Sequence, residues 1–256
     1  MKSLVAFIKK EVLEQLRLGK ITVTGILFII FGVMNPAIAK LTPWLLEMMS
    51  DALAESGMTV TGVTVTALDS WVQFFKNMPI ALIAFVLLES SIFTKEYSSG
   101  TLVLSLTKGL KRFKVVISKA GVLTALWTAS YWLCYAVTYG YNAYFWDNAV
   151  AKSLGFSVAL WWLFGIFVIS LMTLFSTLAV SNTGVLIGTG GTVFASYLIG
   201  LIPKTGKYTP TFLTGGSSLI YGAAEVKDFV SAIIITVALS FICFAASLPL
   251  FNKKHL

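Results

Sequence analysis

Apolar residues fall along this chain in long unbroken runs, and the charges collect in the stretches between them. The runs are centred near Ile21–Leu41, Phe74–Phe93, Ala120–Tyr141, Val158–Val180, Val185–Ile202 and Phe229–Leu250. Each is about 18–24 residues long, which at 1.5 Å rise per residue lets a helix cross a hydrocarbon core of about 30 Å. The strict apolar–polar alternation of a barrel strand is missing from them, and a single helix satisfies its own backbone in lipid. The pattern predicts an all-α integral membrane protein with six transmembrane helices.

A different period governs residues 1–19. Leu4, Val5, Ile8, Val12 and Leu16 fall on one side of a helical wheel, and Lys9, Lys10, Glu14 and Arg17 on the other, with Phe7 and Leu13 straying from the pattern. This predicts an amphipathic elbow helix lying in the membrane interface, apolar face down. The run after it, with Ala37-Ile38-Ala39 near its end, is expected to be a permanent span, because the charged stretch before it is too long and amphipathic for a cleaved leader. Pro43–Ser56 carries Trp44, Leu45, Met48, Met49, Ala52 and Leu53 at helical spacing and predicts a second surface helix. Residues 203–228, with Pro203, Gly206, Pro210, Gly215, Gly216 and Gly222, predict broken or re-entrant structure that protein must shield.

Composition agrees with a lipid-solvated chain. Hydrophobic residues make up 57% of the sequence and charged residues 12%, about half the charge of a soluble domain. The net charge of +8 comes mainly from clustered loops. Lys2, Lys9, Lys10, Arg17 and Lys20 precede the first span. Lys95, Lys108, Lys111, Arg112, Lys114 and Lys119 follow the second, and Lys253 and Lys254 end the chain. The loop after the first span holds Glu47, Asp51, Glu55 and Asp69. Positive residues gather on the cytoplasmic side. Both termini are therefore expected in the cytoplasm. Basic residues arranged in this way predict no nucleic-acid partner.

Little in the chain suggests chemistry of its own. Cys134 and Cys243 sit in apolar runs, and the one histidine, His255, is penultimate, so neither a disulfide framework nor a histidine metal site is expected. Gly200 to Lys207 mimics a phosphate-binding loop, but its spacing is one residue too long and Tyr208 stands where Ser or Thr should be. No catalytic set or cofactor is expected. Any ATP and magnesium must be bound by another chain.

Three groups of residues are candidates for a transport path or a helix seam. Glu89 lies within the second span about 9 Å from its Lys95 end; it is either a polar contact in the path or between helices, or an end-of-span acid reaching Lys95 or interfacial water. Trp127, Tyr131 and Tyr135 share one helix face at four-residue spacing; they read either as packing and lipid-facing aromatics or as a surface for an amphipathic substrate. Gly184, Gly188 and Gly191 let helices approach closely, as a dimer seam, a gate or ordinary packing.

The most informative segment is Lys95–Lys119, KEYSSGTLVLSLTKGLKRFKVVISK. It is too apolar and too patterned for a linker. Gly100 would let the chain turn from the second span onto the membrane surface, leaving Glu96 free to face a partner or cap the next turn. Glu96, Gly100, Thr101, Leu102, Leu104, Lys108, Arg112 and Lys119, in this order, resemble the loop after the second span in type-2 ATP-binding-cassette (ABC) permeases, with Gly109 in place of the usual proline. Tyr208-Thr-Pro210-Thr-Phe212-Leu213 looks like the outer-loop motif of that family, and the layout of elbow helix and six spans is similar throughout.

The resemblance implies the membrane subunit of an ATP-driven exporter with short cytoplasmic coupling helices. Two ATP-binding subunits, a second permease copy or paralogue, and membrane lipids would be its partners. Glu96, Gly100, Thr101, Lys108, Lys111, Arg112 and Lys119 would couple it to the ATPase. Glu89, Trp127, Tyr131 and Tyr135 would line the substrate pathway, and Gly184, Gly188, Gly191 and Pro210 would form the seam or gate. Size and layout suggest a peptide toxin, antimicrobial or drug as cargo. The alternatives are a regulatory or assembly subunit that transports nothing, and an intramembrane enzyme.

Overall fold

The computed structural model describes residues 2–49, 64–107 and 109–254. The described residues are predominantly helical, without a strand. The long helices are α1 Lys2–Arg17, α2 Lys20–Met48, α3 Ala67–Glu89, α6 Arg112–Phe145, α7 Leu154–Leu178, α8 Asn182–Gly200 and α10 Val226–Lys253; the short ones are α4 Ser91–Ser98, α5 Thr101–Thr107 and α9 Ser217–Ile220. Six are long and apolar enough to cross a membrane, α3 and α4 counting as one element from Ala67 to Tyr97. The chain is a multi-pass membrane protein, and each of the six expected runs falls on one of these helices.

Local sequence explains the helix boundaries. Thr66 and Asp69 form a reciprocal capping box at the start of α3, with Thr66 N donating to Asp69 Oδ2 over 2.8 Å. Glu225 and Asp228 do the same for α10, and the Ser181 hydroxyl caps α8. Such caps satisfy amide groups that the helix leaves unpaired. Helix α6 has 34 residues, roughly 50 Å at 1.5 Å per residue, so it extends well beyond a core of about 30 Å.

Helix α7 is the centre of the bundle and the most buried of the six. It packs against α10, α8 and α6, while α2 lies between α3 and α6. Two aromatic side chains knit these layers. Trp127 meets Phe28 and Phe85 edge-on at 5.8 and 5.3 Å and donates through Nε1 to Trp162 O at 3.1 Å. A Cβ on Gly165 would lie 2.2 Å from the Trp127 ring, so glycine is what admits the indole. One turn further along, the Tyr131 hydroxyl donates to Val158 O at 2.7 Å.

A polar clamp ties α2, α3 and α6 at depth. Pro36 has no amide hydrogen, which frees the Gly32 carbonyl; the Thr138 hydroxyl donates to that oxygen at 3.0 Å. Asn35 donates to Thr138 at 3.1 Å, and Asn77 donates to Asn35 at 2.8 Å. A Cβ on Gly32 would stand 2.8 Å from Val137 Cβ, so the close approach of α2 and α6 depends on that glycine.

The structure bears on three sequence expectations. Helix α2 continues through Pro43 to Met48, so the first turns of the expected surface helix at Pro43–Ser56 extend a membrane-crossing helix; residues 50–63 lie outside the described residues. Helix α1 forms, but Phe7, Glu11 and Gln15 are its buried stripe, and Val5, Leu13 and Leu16 are exposed. The face turned to the bundle is thus largely polar, because charged partners await it there. The 203–228 segment is broken as expected, into 3₁₀ turns at Gly206–Tyr208 and Pro210–Gly216 followed by α9. Pro210, Thr211 and Leu213 are buried against the bundle, and Trp161 Nε1 donates to Thr214 O at 3.1 Å.

Candidate functional site

The end of the bundle where α1, α4, α5, the start of α6 and the end of α10 meet carries the densest polar network; it is called the basic end below. Glu11 of α1 and Glu96 of α4 are buried, as is Lys119 of α6. Lys119 Nζ lies 2.7 Å from Glu11 Oε2 and 2.9 Å from Glu96 Oε2, and donates to Ile92 O at 2.9 Å. The contact with Glu96 is one of charge, outside hydrogen-bond alignment. On the open side of this trio, Lys10 contacts Glu11 at 3.1 Å, Glu14 at 3.0 Å and Glu96.

The carboxylate oxygens of Glu11, Glu14 and Glu96 lie within 4.8 Å of one another, a spacing that suits a cation. The Lys10 ammonium contacts all three and acts as that cation. Burial opposes the charge of Lys10, but its hydrogen bond to Glu96 and the charges of Glu11 and Glu96 outweigh burial and hold its pKa above the ordinary lysine value. Glu14 is the counterpart: burial opposes its ionisation, and the Lys10 hydrogen bond with the charges of Lys10, Lys119 and Lys95 holds its pKa below the usual carboxylate value.

Glu89 joins the same assembly from α3. It is fully buried and accepts from Gln15 Nε2 at 2.9 Å, with Lys20 Nζ at 3.6 Å. Lys20 also donates to Leu88 O at 2.6 Å and to the Ser91 hydroxyl at 3.2 Å. Of the two sequence readings of Glu89, the contact between helices is what the geometry shows; its partners are Gln15 and Lys20 in place of Lys95.

The proposed coupling residues divide. Glu96 and Lys119 come together in the buried network, so Glu96 is not free to face a partner. Gly100, with φ +67°, breaks the chain between α4 and α5, at the point where the turn was expected. Thr101 and Lys111 are exposed, and Lys108 lies outside the described residues. Arg112 turns inward: one of its terminal nitrogens donates to Phe251 O at 3.1 Å, Asn252 O at 3.2 Å and Lys254 O at 2.5 Å, capping α10. Lys254 then donates to Ser176 O and Ala179 O at the end of α7 and stands 4.1 Å over the Tyr97 ring. Burial pulls the Lys254 ammonium down to about 8.

The pathway candidates sit differently from expectation. Trp127 and Tyr131 are core residues with no exposed surface, and Tyr135, half-buried, stacks with Trp71 and Tyr139. The described chain therefore opens no path along Trp127 and Tyr131. A Cβ on Gly188 would be 2.3 Å from Phe175, and one on Gly184 would be 2.9 Å from Ala179, so both pack within the chain, whereas Gly190 and Gly191 meet nothing within 4 Å. Gly190 faces an apolar groove of about 250 Å³ between α3 and α8, lined also by Leu82, Val86, Leu186, Thr189 and Val193.

Sequence reading missed Glu11 and Gln15. Their signal was the four-residue stripe Phe7, Glu11, Gln15, which runs beside the apolar stripe of α1. It also missed Asn35 and Asn77; the signal there was an amide beside a proline in one apolar run and within two residues of a proline in the next. No known protein family, curated protein or solved structure matches the chain.

Proposed function

We propose that this chain is the membrane-spanning subunit of an ATP-driven exporter of the type-2 ABC class, with the basic end in the cytoplasm and ATP hydrolysed by a separate subunit. The carrying observation is the construction of the basic end. Two short helices hinge at Gly100, and Glu96, Lys119, Lys10 and Glu11 lock the first of them to α1 and to the long helix α6. Force applied to α4 and α5 passes into α1 and α6 through these ion pairs, which is what a lever between an ATPase and a membrane bundle requires.

Helix α5 has the character of a docking element. It buries Leu102 and exposes Val103, so one face holds the bundle and the other is open to a partner. The α3–α8 groove supports a second permease copy or a paralogue on that side, with an amphipathic peptide or lipophilic drug moving along the seam.

The test is co-purification from native membranes with an ATP-binding subunit, followed by reconstitution. The expected result is ATP hydrolysis that rises with substrate only when this chain is present. Val103→Glu should leave the chain in the membrane and lower partner retention at least tenfold. An intact chain that retains no ATPase, or a Val103→Glu complex that transports normally, would overturn the reading in favour of a regulatory membrane subunit.

A further inference from the structure

A second groove lies on the opposite face of α7 from the one beside Gly190. It is bounded by α6, α7 and α10 and has a volume of about 560 Å³, within the range of roughly 300–1,000 Å³ for ligand sites. Ile117, Gly121, Thr124, Ile169, Ser240 and Phe244 are among its walls. Three of its four hydroxyl groups turn back on their own helices: Ser240 donates to Thr236 O, Ser170 to Phe167 O and Thr173 to Ile169 O. The groove therefore presents an almost wholly apolar surface. From Ile117 to Ala125 it runs about 12 Å along α6, long enough for much of one acyl chain.

Charge distinguishes its two ends. Five residues below Ile117, about 7–8 Å along the helix, α6 begins at Arg112, with Lys111 at its N-cap. Arg112 holds the last carbonyls of α10, which sets Lys253, exposed in the last turn of α10, beside the start of α6. The first turn of α6 and the last turn of α10 contain no acid. The acids of the basic end instead belong to the network that Lys119 reaches on the buried side of α6. An apolar trough leading to a basic mouth whose Lys111 and Lys253 make no ion pair among the described residues complements a molecule with a long chain and an anionic head.

The geometry points to a binding site for an anionic phospholipid of the leaflet at the basic end, with an acyl chain in the α6–α7–α10 groove and the phosphate beside Lys111 and Lys253. The Arg112 contact that ties α6 to α10 lies between chain and headgroup, so the bound lipid holds that junction closed. Each surface cation contributes about fivefold in affinity for an anionic lipid.

The site is tested on the whole chain reconstituted in bilayers of equal phosphatidylglycerol and phosphatidylcholine, extracted gently and weighed intact with its retained lipids. The wild type should retain phosphatidylglycerol roughly 25-fold over phosphatidylcholine. Lys111→Gln with Lys253→Gln should reduce that preference roughly 25-fold, to near parity. Gly121→Leu, whose Cβ meets nothing within 4 Å and whose branched end points on into the groove, should fill it and lower retention of both lipids while leaving the melting temperature in lipid-free detergent unchanged. Equal retention of the two lipids by the wild type would overturn the proposal. So would undiminished retention by a folded Gly121→Leu variant, or a copurifying protein helix seated in the groove. None of these outcomes depends on whether the chain partners an ATPase.

Discussion

Lys119 is a buried cation whose value to the fold lies in its surroundings. Removing one partner of a buried ion pair leaves the other charge uncompensated, at a cost of about 3–5 kcal/mol. Lys119→Met is therefore expected to destabilise the protein by that amount in denaturant unfolding in detergent, and adding Glu11→Gln should recover part of the loss. A double variant less stable than the single one would show that the two do not act as a pair. Glycines test the packing in the same way. Gly165→Ala drives a methyl into the Trp127 ring and should cost about 1–3 kcal/mol, whereas Gly190→Ala, with nothing within 4 Å, should stay within about 0.5 kcal/mol of wild type. Gly165 and Gly190 are equally plain in the sequence. The difference between them comes from the indole that only the assembled bundle places beside Gly165.

Two helices are held at their ends by charges from elsewhere in the chain. Helix α1 docks through Lys10, Glu11 and Gln15, and Glu14, which holds Lys10 from the next turn of the same helix, gives this docking a pH dependence. The Glu14 pKa is depressed in the folded state, so its contribution is present above the unfolded carboxylate value of about 4.5 and is lost as pH falls through the lower folded value. Lys10 acts in the opposite sense: its pKa is raised, so its contribution is complete below about 10.5 and is lost only in strong alkali. A fluorophore at Ser3 should thus report α1 loosening in acid, below the unfolded carboxylate value of about 4.5, while the six membrane-crossing helices keep their circular dichroism, and Glu14→Gln should abolish that transition. An unchanged acid transition in Glu14→Gln would remove Glu14 from the docking. At the other held end, Arg112→Gln should raise hydrogen exchange across residues 248–254 at least tenfold, because the carbonyls of α10 lose their cap and the α6–α10 junction loses its tie. Exchange at wild-type rates would mean that the Arg112 contacts do not restrain that end.

At the scale of the molecule, the two grooves flank α7 on opposite faces, and they make different demands. The α3–α8 groove meets Gly190, where helices can approach closely, so a second copy of the chain is its expected occupant. Paired cysteines at Leu186 and Ile187 on α8 should cross-link two copies in native membranes, while cysteines at Gly121 should not. Cross-linking at Gly121 alone would reverse the assignment of the two faces. The basic end joins these regions, since α4 and α5 attach to α3 on one side and the Glu96–Lys119 contact reaches α6 on the other.

What the sequence by itself determined is the set of membrane-crossing helices, the hinge at Gly100 and the gathering of positive charge at particular loops. These features are local: a helix in lipid must satisfy its own backbone, and the length of an apolar run measures whether it can cross. What only the tertiary structure decided is which side of each helix faces protein. Lipid tails are as apolar as leucine, so the hydrophobic period that separates core from water in a soluble helix does not separate core from lipid. That is why Trp127 and Tyr131 could read as a substrate surface and are core. It is also why the buried stripe of α1 is Phe7, Glu11 and Gln15 and not its apolar face. The burial of Glu96, the inward turn of Arg112 and the pairing of Glu89 with Gln15 join residues that are distant in sequence, and no spacing along the chain encodes such partners.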